Sequence, residues 1–153
     1  VRGNMIGDNG VKDINGEFVL ESFIPTRSME YRNFDFNRKR LICQQISNGG
    51  LRRRLKFIFC DCSDILGNSC NYISSDEETL AKLYLILNSS VLNWRFKITS
   101  SNNHINNYEL DELPIIDLNE VDASFSYSSQ EELDEYIGTL YGLTKEERKL
   151  IAI

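Results

Sequence analysis

The sequence predicts an α+β domain. Strand-like alternation fills its first half, and a helical period takes over at Ser75. A polar Ser/Asn/His loop, held between two apolar anchors, then separates the main helix from acidic helices near the end. At 153 residues, with 41% hydrophobic content and two prolines, the chain is long enough for one ordinary core and has neither the composition of a disordered segment nor that of a Pro-rich linker.

Taken in order, Gly16 to Ile24 alternates as a strand that stops before Pro25. Residues 31–40 form a polar, aromatic and basic connection. Leu41 to Ile46 reads as a strand, Ser47-Asn-Gly-Gly50 as a turn, and Leu51 to Cys60 as its antiparallel partner. Asn71 to Ile73 adds a short strand after the Gly67-Asn68 turn. Ser75 or Asp76 caps the following helix, Glu77 and Glu78 suit its positive end, and Leu80, Leu83, Leu87, Val91 and Trp94 form its apolar stripe. Asn88-Ser-Ser90 predicts a kink or a break into two helices. Beyond Pro114 the chain is irregular to about residue 128. Ser128 or Ser129 then caps a helix through Leu140 that Gly142 stops, and Thr144-Lys-Glu-Glu147 is a capping box for a last helix to Ile151.

The net charge of −6 hides an asymmetry: residues 1–60 carry 11 Lys/Arg against 6 Asp/Glu, residues 61–153 carry 6 against 17. A basic face on an acidic chain still attracts phosphates, because that attraction is local to about one Debye length, ~8–10 Å. Cys43, Cys60, Cys62 and Cys70 lack the paired spacings of a zinc site and read as buried thiols in or near strands. No run approaches the ~18 apolar residues of a membrane span, and no secretory leader opens the chain. Its start at Val1 suggests a fragment of a longer protein.

The strand 51–60 carries the strongest physical argument. Alternation puts Leu51, Arg53, Leu55, Phe57 and Phe59 on one face and Arg52, Arg54 and Lys56 on the other. Residues two apart rise about 6.6 Å, near the spacing of successive phosphates, so this basic row, with Arg38, Lys39 and Arg40 beside it, predicts phosphate contacts. The bland alternative is a solvated face that keeps a hairpin from aggregating. Gln44, Gln45 and Asn48 could supply amides that read adenine in the major groove. Asn102, Asn103 and His104 carry donors and acceptors for base edges, or else serve as cap and turn residues. Trp94-Arg-Phe-Lys97 continues the helical stripe and reads as core with a charged rim. No phosphate-cradling G-x-x-x-x-G-K-[ST] loop is present, and no paired-carboxylate or metal-ligand spacing makes a nuclease site.

Several landmarks carry a resemblance: Arg40-Leu-Ile-Cys-Gln-Gln-Ile46, the Asn71–Ile73 strand, Leu87-Asn-Ser89, the Ser100–Ile105 loop, Leu113-Pro114-Ile115, and the Leu140-Tyr-Gly-Leu-Thr-Lys-Glu-Glu147 ending. Over about residues 30 to 116, with the ending as a further likeness, the chain resembles the target-recognition domains of adenine-specific DNA methyltransferases, type IIG restriction-modification enzymes and type I specificity subunits. The resemblance implies a twisted, mostly antiparallel sheet with helices on one side, in one domain. Its parts would be a lead-in region over about 1–30, a recognition core over 31–116 and C-terminal helices over 117–153. It implies double-stranded DNA as partner, with a catalytic methyltransferase domain or subunit of the same system, and a cytoplasmic place in a bacterial-type defence.

The family's Gly-rich S-adenosylmethionine turn and its Asn/Asp-Pro-Pro-Tyr/Phe motif are both missing. No catalytic residue, metal or cofactor is therefore expected in this chain. S-adenosylmethionine, and Mg where a nuclease is fused, belong to the parent enzyme. Three rival readings remain. They are a type I specificity subunit, a non-catalytic protein-interaction module, and a small metal enzyme using Cys60, Cys62, Cys70 and His104.

Overall fold

The computed structural model describes residues 1–8, 10–12, 38–61, 64 and 66–153. The expected strand Gly16–Ile24, Pro25, most of the connection 31–40, and Cys62 lie outside them. A central strand β1 (Arg40–Gln44) pairs antiparallel with β2 (Ile58–Cys60) on one side and β3 (Cys70–Ser74) on the other. Leu41 lies opposite both Phe59 and Ile73. The apolar run Leu41-Ile-Cys43 suits this central place, because both of its faces are covered.

Leu41 and Cys43, with Phe59 and Ile73, face the helices and join the main core. Ile42, Ile58 and Cys60 face the other way, against Ile6 and Leu66 near the N-terminal 3-10 turn Gly3–Met5. The helical part of the core thus lies against one side of the sheet. The strand cysteines are thiols, and burial raises both Cys43 and Cys60 to about 12. Alkylation of the folded protein at pH 8 is expected to leave Cys43 unmodified in peptide mapping until denaturant is added.

The helices follow the sequence closely. Helix α1 (Glu77–Leu87) is capped by Asp76, whose carboxylate accepts from the Thr79 N–H. The chain then breaks at Asn88, and α2 (Ser90–Thr99) restarts with Ser89 as its cap. Helix α3 (Asn107–Asp111) is one short turn. Ser129 caps α4 (Gln130–Leu140), which ends at Gly142 with φ +75°. The Thr144–Glu147 capping box opens α5 (Lys145–Ile151) as expected. Tyr141 locks two distant landmarks together: its hydroxyl donates to the Pro114 carbonyl at 2.7 Å and accepts from Ile116 N–H at 3.3 Å. Asp134 of α4 receives both the N–H and the hydroxyl of Ser90, tying α4 to the first turn of α2.

Two expectations are corrected. Trp94 does not continue the stripe into the core; it is 45% exposed and lines an open apolar cleft with Pro114, Tyr141 and Leu150. The break at Asn88 resets the helical phase, so α2 buries Leu92 and Phe96 instead. Nor do residues 51–60 form a hairpin partner of β1 along their length. Only Ile58–Cys60 enters the ladder, and residues 51–57 lie outside it without regular secondary structure. Among the described residues no helix is long and apolar enough to cross a membrane.

Candidate nucleic-acid interface

A buried extended segment must place its backbone N–H and C=O groups somewhere. Residues 52–57 place five of theirs on two side-chain amides from the helix break and the helix that follows it. Asn88 Oδ1 accepts the Phe57 N–H at 2.9 Å and its Nδ2 donates to the Phe57 carbonyl at 2.9 Å. Asn93 Oδ1 accepts from Arg54 and Leu55 N–H at 2.7 and 3.1 Å, and its Nδ2 donates to the Arg52 carbonyl. Both amides are buried. They act as a strand substitute, which frees the backbone of 51–57 from two-face alternation.

The freed segment turns Arg54 inward, where it is 2% exposed. Its guanidinium lies 4.9 Å from the Phe96 ring centre. It donates to Ser100 Oγ at 2.8 Å, to the Asn102 carbonyl at 2.7 Å and to the Ser47 carbonyl at 3.2 Å. Burial pulls this guanidinium below its usual value, and the Glu109 carboxylate opposes the shift. Burial alone would raise Glu109. Hydrogen bonds from the Asn106 backbone, Ser100 and the Asn106 side chain, together with the charge of Arg54, outweigh it and hold the carboxyl below the usual range.

Arg54 thereby joins two loops, whose residues Gly49 and Asn103 are bonded 54 positions apart in sequence. Ile46 pairs with His104 in a single bridge, Ser47 N–H donates to the Asn103 carbonyl, and Ile105 N–H donates to the Gln45 carbonyl. The result is an exposed surface of Asn48, Asn102, Asn103 and His104 edged by Ile46 and Leu51. Arg52 is exposed at its rim and donates to the Ala152 carbonyl. Lys97, on α2, reaches the carbonyls of Leu51 and Arg52.

The structure redistributes the residues proposed from sequence. Asn48, Asn102, Asn103 and His104 come together; Gln44 and Gln45 sit half-buried at the end of β1 beside them. The basic row does not exist as a row. Arg52 goes to the rim, Arg54 inward, and Lys56 to Asp8, whose carboxyl its hydrogen bond and charge hold below the usual range. Arg40 is a second correction. It is buried and donates to the carbonyls of Asp61 and Asp64, so neither Arg40 nor Arg54 meets a phosphate in this arrangement. Arg38 and Lys39 are exposed at the opposite end of β1, roughly 20 Å from the loop pair at 3.3 Å per residue. Lys39 stands over the Phe59 ring.

Lys97 was read from sequence only as part of a helix rim. Asn88 stood out in the sequence only as part of the helix break and the Leu87-Asn-Ser89 landmark, and Asn93 carried no signal. Cys60 and His104 lie at opposite ends of β1, and among the described residues no group of three His, Cys, Asp or Glu side chains converges on a metal position.

The chain is therefore a small α+β fold in which Arg54 and backbone hydrogen bonds tie two exposed polar loops together. No protein-family model, curated protein or solved structure matches it.

Proposed function

We propose that this chain is a duplex-DNA recognition domain of a restriction-modification enzyme, placing an adenine-specific methyltransferase, in some parents fused to a nuclease, on its target site. The observation that carries the reading is the loop pair. Residues 46–51 and 101–104 present amides and an imidazole in one exposed cluster, backed by a buried arginine and rimmed by Arg52 and Lys97. Base-edge readers need this combination, with exposed donors and acceptors on a backbone that does not yield and cations near enough to hold the phosphates in register.

The sequence landmarks support the same reading. Leu87-Asn-Ser89 contains the Asn88 amide that holds the backbone of Phe57, just beyond Arg54, and Ser100–Ile105 is one of the two loops. Catalysis, S-adenosylmethionine and any Mg would belong to a separate domain, and the compartment would be the cytoplasm. A type I specificity subunit remains the second reading. There, the acidic helices α4 and α5 would meet methyltransferase subunits.

The test is fluorescence anisotropy with a random-sequence duplex across a salt series. Two to four phosphate contacts give a log–log slope of roughly −2 to −4. Arg52→Glu/Lys97→Glu is expected to abolish binding at low salt while circular dichroism stays unchanged. No binding by the parent chain at low salt, or equal binding by the variant, would remove this interface.

A further inference from the structure

We infer that the loop pair reads hydrogen-bond acceptors, the O6/N7 edge of guanine, rather than the mixed edge of adenine. The inference rests on the DNA-recognition reading and concerns what the same surface selects.

It follows from which end of each amide is already occupied. Asn48 Oδ1 accepts the Gly50 N–H at 2.9 Å, Asn103 Oδ1 the Gly49 N–H at 2.7 Å, and Asn102 Oδ1 the His104 N–H at 2.7 Å. A backbone N–H can be met only by an amide oxygen, so chemistry settles the orientation of all three side chains. In each amide the NH₂ is then the group left to donate elsewhere. Among the described residues, none of these three Nδ2 groups has an intramolecular acceptor.

The surface therefore offers three NH₂ donors from one loop pair, each on an amide whose oxygen already accepts a loop N–H. The usual Asn–adenine pair needs both ends of one amide, with the oxygen accepting from N6 and the nitrogen donating to N7. Oxygens engaged in their own turns are poorly placed for that. Guanine presents two acceptors, O6 and N7, and suits a surface on which free amide donors outnumber free acceptors. Ile46, 57% exposed, and Leu51, 47% exposed, flank the donors with apolar surface that a neighbouring thymine methyl can meet. Phosphate oxygens are also acceptors, so the test must separate base edge from backbone.

Asn→Asp is the discriminating change. The carboxylate keeps the oxygen that accepts the loop N–H, so the turn survives, but the donor becomes an acceptor. The full chain would be used to select sites from a randomised duplex library. Anisotropy would follow on the selected duplex, with 7-deazaguanine at single guanines or neutral methylphosphonate at single linkages.

The expected result is at least one enriched G·C pair. Binding should weaken about tenfold with 7-deazaguanine there, and the enrichment should vanish in Asn102→Asp/Asn103→Asp, whose thermal midpoint stays within a few degrees of the parent. Enrichment only of A·T pairs would overturn the inference while leaving DNA recognition standing. So would weakening by methylphosphonate alone, which would make the amides backbone contacts. Absence of any duplex binding would remove the recognition reading itself, and this inference with it.

Discussion

Arg54→Met is expected to destabilise the protein by about 3–5 kcal/mol, the usual cost of removing one member of a buried charged network. Methionine keeps most of the length and still packs on Phe96, so the loss isolates the polar contribution. What remains behind is expensive: the carbonyls of Ser47 and Asn102, the Ser100 hydroxyl and the low-lying Glu109 carboxylate all lose a donor or a counter-charge inside the structure.

Arg54→Lys is expected to recover only part of the stability, because one ammonium cannot span two loops and a helix cap as a planar fork does. Urea titration measures the global effect. Hydrogen exchange should show the backbone amides of Ser47 and Ile105, which bond across the loop pair, losing protection first. A methionine variant as stable as the parent, with protected loops, would show that Arg54 does not hold this surface together.

Asn88→Ala is expected to cost about 2–4 kcal/mol, roughly 5–15 °C in thermal midpoint for a domain of this size. The alanine leaves the Phe57 N–H and carbonyl without partners and releases the Arg53 guanidinium, which donates to Asn88 Oδ1 at 2.9 Å. Asn88→Asp is the informative companion. It keeps the acceptor for Phe57 N–H but loses the donor to the Phe57 and Tyr84 carbonyls and buries a charge, so it should be at least as destabilising as alanine. If the aspartate were tolerated, the amide would not be standing in for a β-ladder. Asn93→Ala should act on the same segment, and the double variant is expected to fall short of additivity, since both amides serve one extended stretch.

Local signals on the chain were strong wherever the physics is local. Asp76, Ser89, Ser129 and Thr144 all cap the helices they precede, and Gly142 ends α4 in the left-handed conformation. A cap needs only the three or four residues after it, so sequence order suffices. The run Leu41–Ile46 likewise reads as a strand, and Arg40–Gln44 forms one.

The loop pair was half legible. Asn48, Asn102, Asn103 and His104 stood out as exposed polar residues, but nothing in their order said that residues 54 apart would share one surface. The basic row at 52–56 was misleading. Its alternation is real in the sequence, yet alternation sorts side chains to two faces only when the backbone is paired in a sheet.

The sequence by itself determined the α+β class, the starts of the main helices, the strand at Leu41 and the polar character of the loops, because each depends on propensities, caps and period within a few residues. Only the tertiary structure decided which arginines are inside. Asn88 and Asn93 take up the backbone groups of residues 52–57, and that substitution turns Arg54 from a surface cation into the buried tie between two loops. The physical reason is that a buried peptide group accepts any partner with the right geometry. A side-chain amide from a distant helix can take a strand's place without leaving a periodic trace.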